Sequence, residues 1–382
     1  MKILVVAPQP FFVERGTPIA IRALAETLCD AGHEVDLLTT HLGDDIDHGG
    51  LSIYRTRLFR SIDALPVGFS LRKLLLDFAI ALELFRLAIG GRYDVIHAVE
   101  ESVFMAIPLR WLGRARLIYD MDSVLSDQLV EKWPSLRWLR PIFAVVESVA
   151  IRSADRIVAV CPAIADTAKR LGGGDNVHVV PDFGPDPSDT PVIQEDIREG
   201  AEGRPVALYV GNLERYQGVA LLLQALAHID KAERPCLVVI GGDGKGIGEH
   251  RELARLLGIQ GDVEFLGPRP LHRLSEYLGQ ADILCSPRMK GVNTPMKLYA
   301  YMASGVPMVA TDILSHSQVI DRSCAFLGAA EPEALAAAMR EALEDPAERL
   351  RRGRAARHLA RREYSRAMFE KRIRSVYSGL RV

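Results

Sequence analysis

The chain has 382 residues, 47 Lys+Arg against 49 Asp+Glu, and a formal net charge of −2. Hydrophobic residues make up 48% and charged residues 25%, which excludes a disordered or fibrous chain, and the length suits two domains better than one core. The charge is unevenly placed, because Arg349 to Val382 holds 12 basic and 2 acidic residues, a +10 segment on a −12 body.

No run approaches the roughly 18 apolar residues that a membrane-spanning helix needs. The start, Met1 to Pro8, has too short an apolar core for a secretory signal and reads as a strand. The five cysteines are far apart, show no CxxC pair and lie mostly in apolar runs. Free thiols in a reducing, cytoplasmic setting are expected, with no disulfide frame and no metal site.

In chain order, Ile3 to Ala7 predicts a buried strand, followed by a loop with Gly16. Thr17 is placed to cap the next helix, with Pro18 at its first position and Gly32 as its stop. Glu34 to Thr39 returns as a strand, and strand-like runs recur at Val95 to Ala98, Arg116 to Tyr119, Ile157 to Val160 and Val177 to Val180. This alternation implies a parallel sheet covered on both faces. Turn-forming residues from Gly184 to Gly203 read as a linker. The alternation restarts at Val206 and continues with strands near Cys236 to Ile240, Val263 to Leu266, Ile283 to Ser286 and Met308 to Ala310. The boundaries expected are 1–184, a linker 185–203, 204–363, and a terminal helix 364–382.

Four stretches of the second half carry the chemistry. Tyr209 to Val219 is a strand, a loop between Gly211 and Gly218, and a helix start, where backbone donors can face phosphate. Val239 to Gly244 is a glycine-rich strand end containing Gly242, without a GxGxxG fingerprint, which disfavours NAD. Val263 to Gly267 runs into a loop with Arg269 that could flank a nucleobase. Ser286 to Asp312 reads as strand, loop, helix and strand. In it Gly291 permits close approach of a ligand, Thr294 and Pro295 suit a helix start, and Arg288, Lys290 and Lys297 add charge for a diphosphate.

Together these four stretches resemble the nucleotide-sugar half of retaining glycosyltransferases of family 4. The first half matches more loosely through the Gly16 loop, Leu24 to Thr39, Tyr93 to Ala98 and Ser153 to Cys161. The resemblance implies a GT-B fold: two Rossmann-like, doubly wound parallel-sheet domains facing an interdomain cleft. It implies a nucleoside diphosphate sugar as co-substrate in the C-terminal half, no cofactor or metal, and an acceptor in the N-terminal half. Front-face attack, with the leaving phosphate helping to take the acceptor proton, would give retention. The final helix would cross back onto the N-terminal half.

Several positions depart from the family pattern. Asn212 and Gln217 stand where an arginine and a lysine usually grip the diphosphate, Ala300 where a glutamate usually holds the ribose, and Asp122 where a histidine often lies near the reacting sugar. Arg215, Arg288, Lys290 and Lys297 are candidate replacements for the clamp, and Asn293 and Thr294 complete the donor loop. A non-catalytic protein of the same fold that binds a nucleotide or partner is therefore the competing reading.

Asp122, His97 and Lys297 are the catalytic candidates. His97 closes a strand and reads equally as a packing residue or an acceptor contact. Asp120 alternates with Asp122 as base or sugar ligand. Glu100, followed by Glu101, is an acceptor candidate or a solvated loop residue, and Gly16 and Thr17 join the acceptor set. His316 lies beyond the last cleft-facing strand as a candidate sugar or phosphate contact. The acceptor class is left as glycan, lipid-linked or small molecule. Nucleic acid is not expected, since no stacking surface or recognition motif is present. Phe69 to Leu87 and Lys132 to Arg140 mix apolar residues or tryptophan with cations, which suits peripheral contact at the inner membrane face, or else apolar positions packed on the sheet.

Overall fold

The computed structural model of the protein describes residues 1–12, 16–62, 70–126, 129, 133–185 and 193–380. Phe69, Lys132 and residues 186–192 of the expected linker lie outside this set. The chain divides into two compact units, Met1–Pro181 with Phe369–Val382, and Asp182–Met368. It therefore passes between the units twice.

Unit 1 holds seven strands: β1 (Lys2–Ala7), β2 (Glu34–Thr39), β3 (Leu51–Arg55), β4 (Val95–Val99), β5 (Arg116–Met121), β6 (Arg156–Ala159) and β7 (Val177–Val179). Their order is β3-β2-β1-β4-β5-β6-β7, and every described pair is parallel. Unit 2 holds β8 (Val206–Val210), β9 (Cys236–Ile240), β10 (Val263–Gly267), β11 (Ile283–Ser286), β12 (Met308–Thr311) and β13 (Phe326–Gly328). Their order is β10-β9-β8-β11-β12-β13, again all parallel.

Each sheet reverses its strand order once, between β1 and β4 and between β8 and β11. The central strands are mostly apolar because helices cover both faces, with Asp36 and His97 as buried polar exceptions. In β8, for example, Ala207 and Tyr209 face one core and Leu208 the other. The sequence pattern missed β3 and β13. Edge strand β3 is only partly buried, and β13 has three residues, so neither gives a strong apolar run.

Two helix starts differ from expectation. The first helix spans Gly16–Asp30, so Thr17 lies inside it rather than at its cap. The helix after β11 spans Met296–Ser304 with Pro295 at its cap position, and the Thr294 hydroxyl instead accepts from Gln318 Nε2 at 3.0 Å.

The basic C-terminal segment is split between the units. Its first helix, Pro346–Glu363, packs on the Met296–Ser304 helix, with Gly353, Ala356 and Ala360 buried. Arg351 and Arg352 are paired with Glu348, so part of the charge is locally neutralised. The last helix, Arg366–Tyr377, buries Phe369, Ile373, Val376 and Tyr377. Tyr377 stacks on His97, with ring centroids 6.0 Å apart and planes at 3°. Its hydroxyl lies 2.8 Å from His97 Nδ1, while His97 Nε2 lies 3.0 Å from Asp120 Oδ2. Since the carboxylate can only accept, Nε2–H donates to Asp120 and the tyrosine O–H donates to Nδ1.

Tyr377→Phe keeps the stacking but strips a fully buried imidazole of its donor. It should lower unfolding free energy by about 1–3 kcal/mol in a urea titration. A midpoint equal to that of the wild type would show that this bond does not secure the terminal helix.

Candidate functional site

The carboxyl ends of parallel strands gather on one edge of each sheet, and the order reversals open a crevice there. In unit 2 this edge is made by Gly211 after β8, Gly241 after β9 and Pro287–Arg288 after β11.

Lys297, in the first turn of the Met296–Ser304 helix, points back over the end of β8. Its Nζ lies 3.9 Å from the centroid of the Tyr209 ring. Gly211 sits at φ +150°, a conformation that side chains rarely adopt, and a Cβ there would approach Lys297 Nζ at 2.7 Å and the Tyr209 hydroxyl at 3.1 Å. Among the described residues no hydrogen bond or ion pair to Lys297 is present. Burial, and secondarily the nearby Arg288 charge, pull its pKa down to about 7. A partly buried ammonium without a counter-charge is costly, and an arriving anion relieves that cost.

Arg288 is buried and spans its own loop. Its Nε donates to Lys290 O at 2.6 Å, and its terminal nitrogens donate to Asn293 O at 3.1 Å and Asn293 Oδ1 at 2.9 Å. It braces the 288–293 loop and contributes charge at the site, which differs from the freely reaching clamp expected. Gly291, at φ +118°, leaves no room for a side chain beside that guanidinium. Lys290, Arg215 and Asn212 are exposed near the strand ends, and the Asn212 carbonyl accepts from the Tyr209 hydroxyl at 2.6 Å. Gln217 is buried, and its Oε1 has no hydrogen-bond partner.

Arg269 does not join this group. It forms a bidentate pair with Glu195, at 2.6 and 2.9 Å, and also donates to Leu266 O. Its guanidinium ties residue 195 to the end of β10, so the arm expected to flank a nucleobase is engaged within the protein. His316 is also sealed in, fully buried, with Nδ1 2.8 Å from Thr311 O and Nε2 2.9 Å from Ser286 Oγ. Burial and the positive charges of Arg288 and Lys297 outweigh the Thr311 hydrogen bond and push its pKa down to about 4. A neutral ring donates from Nδ1 and accepts from Ser286, so His316 buttresses β11 and β12.

In unit 1 the corresponding edge carries Gln9 after β1, Glu100 after β4, and Asp122 and Ser123 after β5. Glu100 sits at φ +50°, a left-handed conformation uncommon for glutamate. Its carboxylate accepts from Gln9 Nε2 at 2.8 Å and Ser123 Oγ at 3.2 Å. Burial, then the adjacent Glu101 charge, raises its pKa. Lys73 pairs with Glu101 and lies 3.7 Å from Asp77, whose pKa burial pushes up to about 6. Gly16 and Thr17 start the helix that follows β1.

Of its two expected readings, His97 takes the packing role, and Asp120 differs from its expected place as a base or sugar ligand. His97 is fully buried with both ring nitrogens bonded, and Asp120 is its partner. Neither imidazole nitrogen is free for a substrate, because the terminal helix occupies that side of β4. Asp122 is partly exposed just beyond β5. Gln9, Ser123 and Tyr209 escaped sequence reasoning, since single polar or aromatic residues at strand ends carry no spacing signal. Among the described residues no cluster of three or more His, Cys, Asp or Glu is arranged to hold a metal.

The sequence model described as "Glycosyl transferases group 1" matches residues 193–359, and that described as "Glycosyl transferase 4-like domain" matches residues 15–182. The chain belongs to the group 1 glycosyltransferases. It is 25% identical to a phosphatidyl-myo-inositol mannosyltransferase of Mycolicibacterium smegmatis, over 99% of this chain and 93% of that protein. A D-inositol 3-phosphate glycosyltransferase of Corynebacterium urealyticum is 33% identical over 45% of this chain and 42% of its own length. Among solved structures, a sucrose-phosphate synthase from Thermosynechococcus elongatus superposes with TM-score 0.81 at 21% identity, covering 99% of this chain and 98% of that one. Anabaena HepE in complex with UDP superposes with TM-score 0.76 at 17% identity, covering 99% and 100%. These likenesses give the GT-B fold, and the enzyme is a glycosyltransferase.

The glycines of the unit 2 edge allow a direct check. Gly241 is at φ +111°, and a Cβ there would collide with the Gly211 carbonyl, which is backbone and cannot swing aside. Gly241→Ala should destabilise unit 2 by at least about 1–3 kcal/mol. Gly244→Ala, in a helix with open space around it, should be neutral or mildly stabilising. Thermal unfolding of the two variants should diverge, and equal midpoints would mean that the β8–β9 crossing is loose.

Proposed function

We propose that the enzyme moves a sugar from a nucleoside diphosphate sugar to an acceptor hydroxyl, with retention at the anomeric carbon and without a metal. The observation that carries this reading is Lys297, a desolvated ammonium without a counter-ion at the switch point of the unit 2 sheet. The diphosphate supplies the missing negative charge. Negative charge grows on the leaving diphosphate in the transition state, so Lys297, with Arg288 behind it, stabilises that state more than the ground state. Backbone N–H groups at Asn212 and at the start of the Met296–Ser304 helix add fixed donors for the same oxygens, whereas that of Gly211 is already spent on Ile240 O at 3.0 Å. Arg215, Lys290, Gln217 and Asn293 border the donor, and Gly242 and Gly291 let its backbone approach.

The acceptor engages the β1/β4 edge of unit 1. There Glu100, held by Gln9 and Ser123, is poised to orient a hydroxyl, with Asp122, Gly16 and Thr17 beside it. The relatives matched over nearly the full chain are named transferases, and a UDP complex of the same fold exists, which together favour a sugar-nucleotide donor and a glycan-type acceptor over a non-catalytic role.

A thermal-shift panel of nucleoside diphosphates, followed by NMR of the product's anomeric configuration, tests the reading. Stabilisation by at least one nucleotide, a retained anomer and full activity in EDTA are expected. No stabilisation by any nucleotide, or an inverted product, would overturn it.

Lys297→Ala should weaken diphosphate binding about 10- to 100-fold, the worth of one charge-assisted hydrogen bond, while leaving thermal stability nearly unchanged. In the free protein the lysine is depressed to about 7, and bound diphosphate restores its proton affinity. Binding at pH 8 should therefore take up protons, and affinity should fall as pH rises above about 7. Calorimetry in buffers of different ionisation enthalpy reads this directly. Proton uptake unchanged in the variant would remove Lys297 from the clamp.

A further inference from the structure

The helix Leu71–Gly90 is built inside out for part of its length. Its inner face buries Leu76, Ile80 and Leu84 but also Asp77, and its Lys73 reaches inward to Glu101. Its outer face presents Leu71, Leu74, Phe78 and Leu82, at intervals of three, four and four residues, all between 46% and 74% exposed. The helix Arg140–Ser153 repeats the arrangement. Ile142, Val145 and Val149 are exposed, while Glu147 turns inward to accept from Leu125 N and Ser126 Oγ. Water-facing positions of an ordinary surface helix are polar. The expected alternative, apolar positions packed on the sheet, therefore holds for only half of each helix.

Both helices pack against Ser102–Trp111, and right-handed crossovers put all three on one face of the unit 1 sheet. Trp111 ends the middle helix at 68% exposure, and Trp138, just before Arg140, is 74% exposed. With Trp133, these are all three tryptophans of the chain, and each is exposed in this region. Among the described residues the exposed charges are one-sided. Arg72, Arg114, Arg137 and Arg140 are exposed, whereas Asp77 and Glu147 are buried and Glu83 is paired with Arg86.

We propose that this outer face of unit 1 docks on an anionic lipid bilayer. The sign of the charge selects the occupant. A second copy would bring arginine rims against each other, whereas anionic headgroups neutralise them. Aliphatic residues enter the acyl boundary, and tryptophan sits at headgroup level. No described helix is long and apolar enough to cross a membrane, so the contact is peripheral. The docking helix carries Lys73 in its first turn, bonded to Glu101 beside Glu100. Resting on the glycosyltransferase reading, this places the acceptor edge next to the bilayer surface and makes a lipid-linked acceptor the fitting substrate class.

Flotation of the full chain with vesicles tests the proposal. The protein should float with phosphatidylcholine–phosphatidylglycerol vesicles and far less with phosphatidylcholine alone, and salt should weaken the contact. Tryptophan emission should shift to the blue and be quenched by brominated acyl chains. Phe78→Ser with Val145→Ser, and separately Arg137→Glu with Arg140→Glu, should each reduce partitioning at least about tenfold. These side chains are exposed, so folding is monitored by circular dichroism and by nucleotide-induced thermal shift without vesicles. That shift also separates the two readings, because it reports the donor site whether or not lipid binds. Absence of flotation with anionic vesicles, or variants that float like wild type, would overturn the proposal. A dimer in sedimentation that the same substitutions dissolve would assign the face to a second copy instead and overturn it equally.

Discussion

Everything functional here depends on strands that all run the same way. Parallel pairing sends each connection back across a face of the sheet, so every strand delivers its carboxyl end to a single edge. Where the order reverses, at β1/β4 and β8/β11, neighbouring connections leave in opposite directions and the edge stays open. Residues far apart in sequence meet there because of direction alone. Gln9 and Glu100 are joined by a 2.8 Å hydrogen bond across one switch point, and Tyr209 and Lys297 are stacked at the other. The helices that seal both faces also make the strands largely apolar, so most polar chemistry is left to the strand ends, with His97 in β4 and Asp36 in β2 as buried exceptions.

Electrostatic tension is concentrated at those ends. In unit 2 a lysine loses much of its hydration and gains only an aromatic face, while Arg288 adds like charge nearby. In unit 1 a glutamate is held in a left-handed backbone conformation beside a second glutamate, with its proton affinity raised. Elsewhere buried charges are answered: Glu276 by Arg273, Asp262 by Arg204 and Arg234, Glu147 by backbone and hydroxyl donors. The contrast marks the unit 2 edge as prepared for an anion.

The sequence displayed the architecture well, since a continuous apolar strand such as β9 or a glycine stop such as Gly305 expresses a local rule. Partly wet or very short strands, β3 and β13, lack that signature and were missed. Site residues were legible only as far as backbone constraint reaches. Gly211 and Gly291 are glycines because their backbones sit at φ +150° and +118°, which side chains rarely adopt. Side chains were less readable. The Glu195 partner of Arg269 and the choice between the two readings of His97, decided by a helix more than 250 positions away in the chain, were not readable. Such long-range partners leave no trace in local spacing.

The contact between Tyr377 and His97 also orders events in time. The strands of unit 1 are made before those of unit 2, yet β4 is missing a buried partner until the helix Arg366–Tyr377 is made. Unit 2, by contrast, lies within Asp182–Met368 and is complete earlier. The unit synthesised second can thus finish folding first, while the imidazole of β4 waits with an unfilled bond. Completion of unit 1 is tied to synthesis of the helix Arg366–Tyr377, and a chain lacking that helix would carry a finished unit 2 and an unfinished unit 1.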